Sequence, residues 1–499
     1  MSPEVPPSPQ QAIRQFLMSL QIPTRILVAI SGGSDSAGLL LLLDEAVKAA
    51  PQLKISLCAA TVDHALRASS ADEARDVAAL CASLGIAHAT LTWQGDKPKT
   101  GIMAAAREAR YGLLAAAAED FSADLIVTGH TFDDQYETLA MRSLRSGQAS
   151  TGIADAVLFD RRFWIMRPLL FSTRADIRVY LMARGVSWLD DPSNEDAKYE
   201  RVRMRRRIAV DTGTEDIRST WKARLELSSK AAEWLDHHFM LHGGLLAQVM
   251  PEGLSEDRAV LDYALGRLAA VFGGQPFVPG RVQMERVLAF ATGGGVGRMT
   301  AGGVVFDLRR DGLYLVRESR GILSLVLQPG EAGVWDGRFH ARNNLATSIV
   351  VEAATPHAPS FPSSGLTRGM SQESSASKSL GAKDTSRFIE SITAQTHGGW
   401  IPVTSLEQSS EDTGMRGDHF ERLPKAAWKR AIASAPALSA GEALLSQESA
   451  RIVELTPYLA PFDRFLTRFD FIFADRISAV FATAPYARLP LRSIDGKTI

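Results

Sequence analysis

A short run of serines and glycines has the residue types that bind an anion at the start of a helix. The run is Ser31, Gly32, Gly33, Ser34, Asp35 and Ser36, and it follows an apolar stretch over residues 25–30. Glycines let the backbone approach a ligand closely, and successive N–H groups at a helix N-terminus attract negative charge. Ser34 and Ser36 add hydroxyl donors, and the carboxylate of Asp35 is a candidate ligand for Mg²⁺. A helix-capping turn, with Ser31 as the cap, stays open as the alternative.

A second group of polar residues follows the apolar run over residues 124–128. It contains His130, Asp133, Asp134 and Glu137. Asp134 and Glu137 are three positions apart on a predicted helix, so both can face one ligand. Such carboxylates could clamp a cationic amine or coordinate Mg²⁺ together with phosphates, and His130 could bond phosphate or accept a proton. Ordinary first-turn acids, favoured by the helix dipole, are the alternative for Asp133 and Asp134.

Basic residues at several places could contact phosphate. Arg107 and Arg110 are three positions apart on a predicted helix, where guanidinium groups suit oxyanions, although a solvated helix face is the alternative. The densest basic run contains Arg201, Arg203, Arg205, Arg206 and Arg207. It could track an RNA backbone, or it could be a charged helix surface. Asp63 and His64 end a predicted strand, and His64 could equally be a loop residue without chemistry.

The elements that must position these residues alternate between strand and helix. Strands are predicted at 25–30, 54–62, 87–93 and 124–128, and helices from 35, over 71–84, over 103–121 and after 130. This alternation predicts an α/β fold, a parallel sheet with helices on both faces. Ligands bind beyond the carboxyl ends of such strands, so the loops after residues 30, 62 and 128 are expected to converge on one cleft.

The chain of 499 residues is too long for one core, and four regions are predicted. Residues 1–218 form an N-terminal α/β domain, and 219–350 form a helical and then β-rich region. Within it, a long helix is predicted over 220–241 and a hairpin over 302–316. Residues 351–395 form a flexible insertion rich in Ser, Pro and Gly, and 396–499 a small α+β C-terminal domain.

Net charge, apolar runs and cysteine content exclude several classes of protein. The net charge is −1, so any RNA binding must use a local basic patch. No apolar stretch is long enough for a membrane helix, and the first residues do not resemble a secretion signal. Cys58 and Cys81 are the only cysteines, which predicts neither disulfides nor a cysteine metal site and favours a cytoplasmic location. The sequence does not reveal the oligomeric state, and a homodimer is left open.

The serine and glycine run resembles the PP-loop of the ATP pyrophosphatase superfamily, whose members cleave ATP to AMP and pyrophosphate. Five segments, in order, resemble the tRNA(Ile)-lysidine synthase family: residues 62–67, 101–111, 128–138, 167–170 and 191–196. The resemblance spans most of residues 25–207. One position departs from the family pattern, because Val202 stands where Asn is usual.

The resemblance implies an adenine nucleotide alpha-hydrolase-like PP-loop domain and a two-step ligation. ATP would adenylate the wobble cytidine of isoleucine tRNA with the anticodon CAU, and free L-lysine would then replace AMP. By the same resemblance, residues 1–218 are the catalytic domain, residues 219–350 bind tRNA, and ATP is bound by the PP-loop with Asp63 and His64. Phosphoryl-transfer chemistry adds Mg²⁺, with Asp35 as its expected ligand. From the chemistry of the residues, catalytic roles are expected for Asp134, His130, Asp133 and Arg107. Asp134 and Glu137 are expected to bind the lysine, and the arginines of 201–207 are expected to bind the tRNA.

Two rival interpretations remain. A PP-loop tRNA thiolase generally needs a reactive Cys or a Cys-x-x-Cys pair, and Cys58 and Cys81 do not have that spacing. A non-catalytic RNA-binding module would leave the phosphate-binding run and the acidic residues unexplained.

Overall fold

The computed structural model describes residues 7–65, 70–95, 97–98, 100–146, 150–189, 214–354, 423–440, 443–445, 452–494 and 497–498. Side chains at 70, 143–146, 214–215, 443–444, 493–494 and 497–498 are not described. The predicted insertion at 351–395 falls almost entirely outside these ranges, as do residues 191–196 and 201–207. The chain divides into two compact units. Unit 1 comprises Met1–Ser229, Asp463–Ala474 and Tyr486–Ile499, and unit 2 comprises Lys230–Phe462 and Asp475–Pro485.

The elements are numbered here in chain order over the described residues. The helices are α1 (Pro9–Ser19), α2 (Ser34–Ala49), α3 (Ser70–Leu84), α4 (Ile102–Asp120), α5 (Phe132–Ser146), α6 (Arg174–Met182), α7 (Thr214–His238), α8 (Arg258–Gly273), α9 (Arg281–Thr292), α10 (Lys425–Ala433) and α11 (Phe471–Val480). The strands up to the chain midpoint are β1 (Thr24–Ala29), β2 (Ile55–Asp63), β3 (Ala87–Thr92), β4 (Leu125–Thr128), β5 (Ala156–Phe159), β6 (Phe163–Met166), β7 (Phe239–His242) and β8 (Leu246–Val249). Those that follow are β9 (Gly297–Ala301), β10 (Val304–Arg309), β11 (Gly312–Arg317), β12 (Leu325–Leu327), β13 (Ala332–Trp335), β14 (Phe339–Arg342), β15 (Ile349–Ala353), β16 (Pro436–Ala440), β17 (Ala443–Leu444), β18 (Glu454–Pro457), β19 (Phe465–Thr467), β20 (Ser493–Ile494) and β21 (Lys497–Thr498).

Unit 1 is built on a seven-stranded sheet with the order β19-β5-β6-β4-β1-β2-β3. β1 pairs in parallel with both β2 and β4, and β2–β3 and β4–β6 are also parallel. The chain therefore winds outward in both directions from β1. The gap between the carboxyl ends of β1 and β4 is the topological switch point at which such folds bind ligands. The predicted α/β fold is confirmed.

Both faces of the central strand are buried, as a parallel sheet covered by helices requires. Leu27 and Ala29 of β1 belong to a core cluster that includes Tyr111 and Leu114 of α4. Ile26 and Val28, which alternate with them and point to the opposite face, are fully buried too. α2 and α6 pack closely, since a Cβ on Gly38 would lie 2.3 Å from Cγ2 of Ile177.

The edge of the unit 1 sheet is completed by residues far along the chain. β19 pairs antiparallel with β5, from Phe465 opposite Phe159 to Thr467 opposite Val157. The Phe465 ring lies 5.1 Å from that of Phe159, centroid to centroid. Residues 463–474 and 486–499 thus belong to unit 1, whereas the sequence groups all of 396–499 in a domain of its own. The difference arises because aromatic packing and strand pairing join segments distant in sequence.

Unit 2 contains a five-stranded antiparallel sheet with the order β7-β8-β11-β10-β9. The predicted hairpin is present, since β10 and β11 pair antiparallel from Val304 opposite Arg317. The predicted helix over 220–241 begins earlier, at Thr214, and ends at His238. Residues 239–242 form β7 instead, because the positive-φ glycines Gly243 and Gly244 turn the chain back so that β8 pairs with β7. No helix within the described ranges is long and apolar enough to cross a membrane.

The close approach of two loops at the switch point gives a stability prediction. A Cβ on Gly129 would lie 2.8 Å from the carbonyl oxygen of Asp35 and 2.9 Å from the nitrogen of Ser36. Because both neighbours are backbone, we expect Gly129→Ala to lower the free energy of unfolding by about 1–3 kcal/mol in urea denaturation. Gly112→Ala is the control, since a Cβ at Gly112 in α4 meets nothing within 4 Å. Equal stability of the two variants would contradict this packing.

Candidate functional site: a nucleotide and acid site at the switch point

The turn between β1 and α2 leaves the N-terminus of α2 without a side-chain cap. Gly33, with φ −68° and ψ 159°, is the N-cap residue, and no side chain accepts a hydrogen bond from the first turn. Ser31 is therefore not the cap; instead its N–H donates to Oγ of Ser36 at 3.1 Å. The Ser36 hydroxyl donates in turn to the carbonyl of Gly33, also at 3.1 Å. The turn is held by its own serines while the first N–H groups of α2 lack an intrahelical partner.

Glycine at position 32 is required by both conformation and space. Its φ of +83° is in the left-handed region, and a Cβ there would lie 2.6 Å from Cδ1 of Leu189. The carbonyl of Gly32 accepts a hydrogen bond from the N–H of Leu189 at 3.0 Å. The turn thus packs under a later segment of the chain.

An acidic cluster lies beside this turn and is bridged by Arg174. Nε of Arg174 donates to Oδ2 of Asp35 at 2.8 Å, and its Nη2 lies 3.7 Å from Oδ1 of Asp134. The main-chain N–H of Arg174 donates to Oδ2 of Asp133 at 2.8 Å. Oδ2 of Asp134 accepts from the N–H of Thr131 at 2.9 Å. The structure brings Asp35, Asp133 and Asp134 together, and it also gives both first-turn acids structural hydrogen bonds.

The charges in this cluster are partly buried and influence one another. Burial is the largest influence on Asp35 and raises its pKa, although the ion pair with Arg174 opposes this shift. Burial alone would lower the pKa of Arg174, but the carboxylates of Asp35, Asp134 and Asp133 outweigh it and raise the pKa. The side chains of Asp35 and Asp134 are 17% and 20% exposed, so solvent screens them only in part. The site attracts a cation, and Arg174 supplies one.

Two further polar residues predicted from the sequence, His130 and Glu137, follow β4 in the chain. Nδ1 of His130 is 2.8 Å from Oγ1 of Thr128, so the last residue of β4 orients the imidazole. Glu137 is one turn along α5 and only 5% exposed. The neighbouring Gln135 is fully buried and donates to the carbonyl of Ile153 at 3.2 Å, which fixes α5 against the loop before β5.

His64 and Asp63 lie at the carboxyl end of β2. The carboxylate of Asp63 accepts from the N–H of Ala65 at 2.7 Å and so forms a tight turn after the strand. The His64 ring packs edge-on against Trp93, with 6.0 Å between centroids. Its Nδ1 is buried and has no hydrogen-bond partner within the described part of the chain. Burial, followed by the charge of Arg110, lowers the pKa of His64, so this ring is neutral at pH 7.

Arg107 and Arg110 lie on α4. Arg107 is exposed, with its guanidinium 5.0 Å from the ring centroid of Tyr111. Burial would raise the pKa of Tyr111, but Arg167, Arg107 and Arg110 together lower it. These arginines therefore place positive charge around Tyr111. The basic run Arg201, Arg203, Arg205, Arg206 and Arg207 lies outside the described residues, as does Val202.

Sequence reasoning missed the arginines of α6. Arg174 meets Asp35 across 139 residues of chain, and Arg178 donates from Nε to Oγ of Ser34 at 3.3 Å. Their spacing of four residues on a helix is the only sequence feature that points to a shared target. That target became apparent only from the packing of α6 against α2.

The donor set limits how a metal could bind. Among the residues that the structure describes, no group of three or more His, Cys, Asp or Glu side chains is arranged to hold a metal ion. The two cysteines, Cys58 and Cys81, are buried and free. Burial raises the pKa of Cys81 to about 11. Neither thiol has the exposed, electropositive setting of a reactive cysteine.

Thiol reactivity should report this burial directly. Alkylation requires the thiolate, and raising the pKa from 9.0 to about 11 lowers its fraction at pH 8 roughly a hundredfold. We expect iodoacetamide at pH 8 to modify Cys81 at least about a hundredfold more slowly in the native chain than in urea. Native modification should accelerate as the pH rises toward 11. Peptide mass spectrometry measures both rates, and equal rates in the two states would contradict the burial.

The family model described as "PP-loop domain" matches residues 7–211, which contain the whole site. Among solved structures, the U34-tRNA thiolase NcsA from Methanococcus maripaludis aligns at 17% identity with a TM-score of 0.32, covering 42% of this chain and 85% of that chain.

Two curated relatives carry the same name. The tRNA(Ile)-lysidine synthase of Rhizobium meliloti is 46% identical over 354 residues, which are 68% of this chain and 78% of that protein. That of Mesorhizobium japonicum is 39% identical over 339 residues, which are 65% and 74% of the two chains. Identity of this degree over more than two thirds of each relative shows that the chain belongs to the tRNA(Ile)-lysidine synthase family.

Proposed function

We propose that this chain uses ATP to join lysine to C2 of the wobble cytidine of isoleucine tRNA with the anticodon CAU, releasing AMP and pyrophosphate. The observation that carries the proposal is the uncapped N-terminus of α2 lying beside the cluster of Asp35, Asp133 and Asp134. The helix N-terminus suits a triphosphate, and the acidic cluster suits an amine or a metal ion. Membership of the family supports this pairing of roles.

In the first step, the C2 carbonyl oxygen of the cytidine attacks the α-phosphorus of ATP, and pyrophosphate leaves. The N–H groups at the start of α2 hold the departing pyrophosphate. The Ser34 hydroxyl would leave Asp35 to join them, while the Ser36 hydroxyl keeps the turn closed through Gly33. Activation is needed because a carbonyl oxygen is a very poor leaving group, whereas AMP is a good one. The neutral His64 and its neighbour Asp63, at the end of β2, are proposed to contact the nucleotide.

In the second step, the ε-amine of free lysine attacks C2 and expels AMP. The amine must be neutral to attack, and its reference pKa of about 10.4 makes this cost about 4–5 kcal/mol at pH 7. Asp134 is proposed as the base that accepts the proton, and the buried Glu137 as the group that orients the substrate. His130 and Asp133 complete the lining of this side, and Arg107 faces the phosphates of the nucleotide or the RNA.

Mg²⁺ is a proposed companion of ATP. The fit rests on the donor chemistry, because Asp35 and Asp134 offer partly buried carboxylate oxygens beside the phosphate-binding turn. Mg²⁺ is typically held by one or two carboxylates together with substrate phosphates rather than by a cage of protein ligands. When bound, it would neutralise the charge that develops on the leaving pyrophosphate. Asp35 is the proposed protein ligand.

The tRNA must present an unstacked base to this cleft. Loop nucleotides are easier to extrude than paired ones, so an anticodon base is a suitable target. Arg107 and Arg110 on α4 place positive charge near the site. The arginines at 201, 203, 205, 206 and 207 are proposed to contact the RNA backbone.

The two rivals explain fewer of the observations. A thiolase needs a reactive sulfur, and both cysteines are buried in the core of unit 1 with raised pKa values. A binding module without catalysis would not need the costly gathering of Asp35, Asp133 and Asp134. A cytoplasmic location and a homodimer stay predictions. The molar mass of the full chain, measured by light scattering, tests the homodimer.

Replacing the proposed base should separate the two steps. Asn at position 134 can still accept the hydrogen bond from Thr131 but cannot take a proton from lysine. We expect Asp134→Asn to release pyrophosphate in a tRNA-dependent manner while lowering lysidine formation by about 10²-fold or more. Mass spectrometry of nucleosides, after incubation with ATP and labelled lysine, measures the product.

The matched control is Asp120→Asn, which removes an exposed carboxylate at the C-terminal end of α4. It should leave both steps at the wild-type rate. Near-normal lysidine formation by Asp134→Asn would remove Asp134 from the role of base.

A further inference from the structure

One arginine engages acidic groups from the first turns of two helices, α2 and α5. Arg174 binds Asp35 through Nε at 2.8 Å and approaches Asp134 through Nη2 at 3.7 Å. Its main-chain N–H holds Asp133 at 2.8 Å. The side chain is 20% exposed, so this ion pair is shielded from most of the solvent. The positive charge that the acidic cluster attracts is therefore already supplied by the chain itself.

Both oxygens of Asp35 are occupied by donors. Oδ2 accepts from Arg174, and Oδ1 accepts from the hydroxyl of Ser34 at 3.2 Å. Each carboxylate oxygen can accept a second bond, so a divalent cation on Asp35 would lie directly beside the donors already there. A guanidinium that stayed at 2.8 Å from the same carboxylate would repel the metal strongly at this short range. A metal ion and Arg174 therefore compete for Asp35.

Helix α6 also directs a second guanidinium at the same turn. Arg178, one helical turn after Arg174, donates to the hydroxyl of Ser34 at 3.3 Å. Guanidinium groups bind phosphate oxygens through two parallel hydrogen bonds, which is a better match than a single carboxylate oxygen. A triphosphate at the start of α2 would lie within reach of both arginines.

We propose that Arg174 changes partner during the reaction: it neutralises Asp35 in the nucleotide-free protein and transfers to the phosphates of ATP when a divalent cation takes its place on Asp35. This inference rests on ATP being the substrate, as in the proposed function. The cation then enters with the nucleotide rather than before it. The amine of lysine meets Asp134 only after the guanidinium has withdrawn from that carboxylate. Arg174 is in this way a phosphate-binding residue that also sets the order of binding.

The competition between Arg174 and a divalent cation for Asp35 is tested on the full chain without nucleotide. Mn²⁺ affinity is measured from the electron paramagnetic resonance signal of the unbound ion. Arg174→Gln should bind Mn²⁺ about tenfold more tightly than wild type, because the competing charge is gone. Adding Asp35→Asn to this variant should abolish the gain. Arg184→Gln, which removes the exposed partner of Glu45 just after α6, is the control and should behave as wild type.

The transfer of Arg174 from Asp35 to the phosphates is tested by measuring ATP affinity, using equilibrium dialysis in the presence of Mg²⁺. Here Arg174→Gln should bind about tenfold more weakly, since a hydrogen-bonded charge has been lost from the phosphates. Mn²⁺ affinity that is unchanged or weaker in Arg174→Gln overturns the competition, and unchanged ATP affinity overturns the transfer. Circular dichroism shows whether this variant folds.

If Arg174→Gln does not fold, Arg174→Lys replaces it. Lysine keeps the charge but not the planar fork, so Mn²⁺ binding should match wild type while ATP affinity falls. Wild-type ATP affinity in this variant overturns the transfer. These readouts involve neither tRNA nor lysine. A chain that shows them yet makes no lysidine would contradict the proposed function and leave this inference intact.

Discussion

The close approach of the Gly129 backbone to the backbone at Asp35 and Ser36 is the constraint on which the site depends. β1 and β4 are neighbours only because the strand order reverses at β1. Their following loops then meet over a distance that only glycine allows. The turn at residues 31–36 and the acids of α5, which are a hundred residues apart in sequence, are thereby brought together around Arg174. Without this contact the two groups of residues would have no common substrate.

The charges on either side of this contact determine what the site can bind. The helix N-terminus favours negative charge, and the adjacent carboxylates favour positive charge. Burial raises the pKa of Asp35, which shows that the folded protein holds this carboxylate at a cost that Arg174 only partly offsets. A site that accepts both a polyanion and a cation is suited to join a nucleotide-activated base to an amine. The same opposition of charges explains why the nucleotide-free protein needs an internal cation.

Much of unit 1 was predictable because its signals are local. Apolar runs such as 25–30 and 124–128 become strands within one residue of the predicted ends, and the serine and glycine turn opens a helix as expected. The features that the sequence did not predict depend on packing between residues distant in the chain. Arg174 meets Asp35 only in three dimensions, and β19 joins β5 through aromatic contacts with Phe159. Leu241 fits the apolar pattern of the preceding helix, but strand pairing with β8 places it in β7. The roles of the site residues were inferred from residue chemistry and family resemblance, and the structure adds the proximity of Asp35, Asp133 and Asp134.

The most direct measurement is a structure of the chain with ATP bound. The account predicts that phosphate oxygens of ATP accept hydrogen bonds from the N–H groups that open α2, with the adenosine beyond the carboxyl ends of the central strands. The α-phosphorus should then face the side of the cleft lined by Asp134. A nucleotide lodged elsewhere, with the turn at residues 31–36 making no contact to phosphate, would contradict the account.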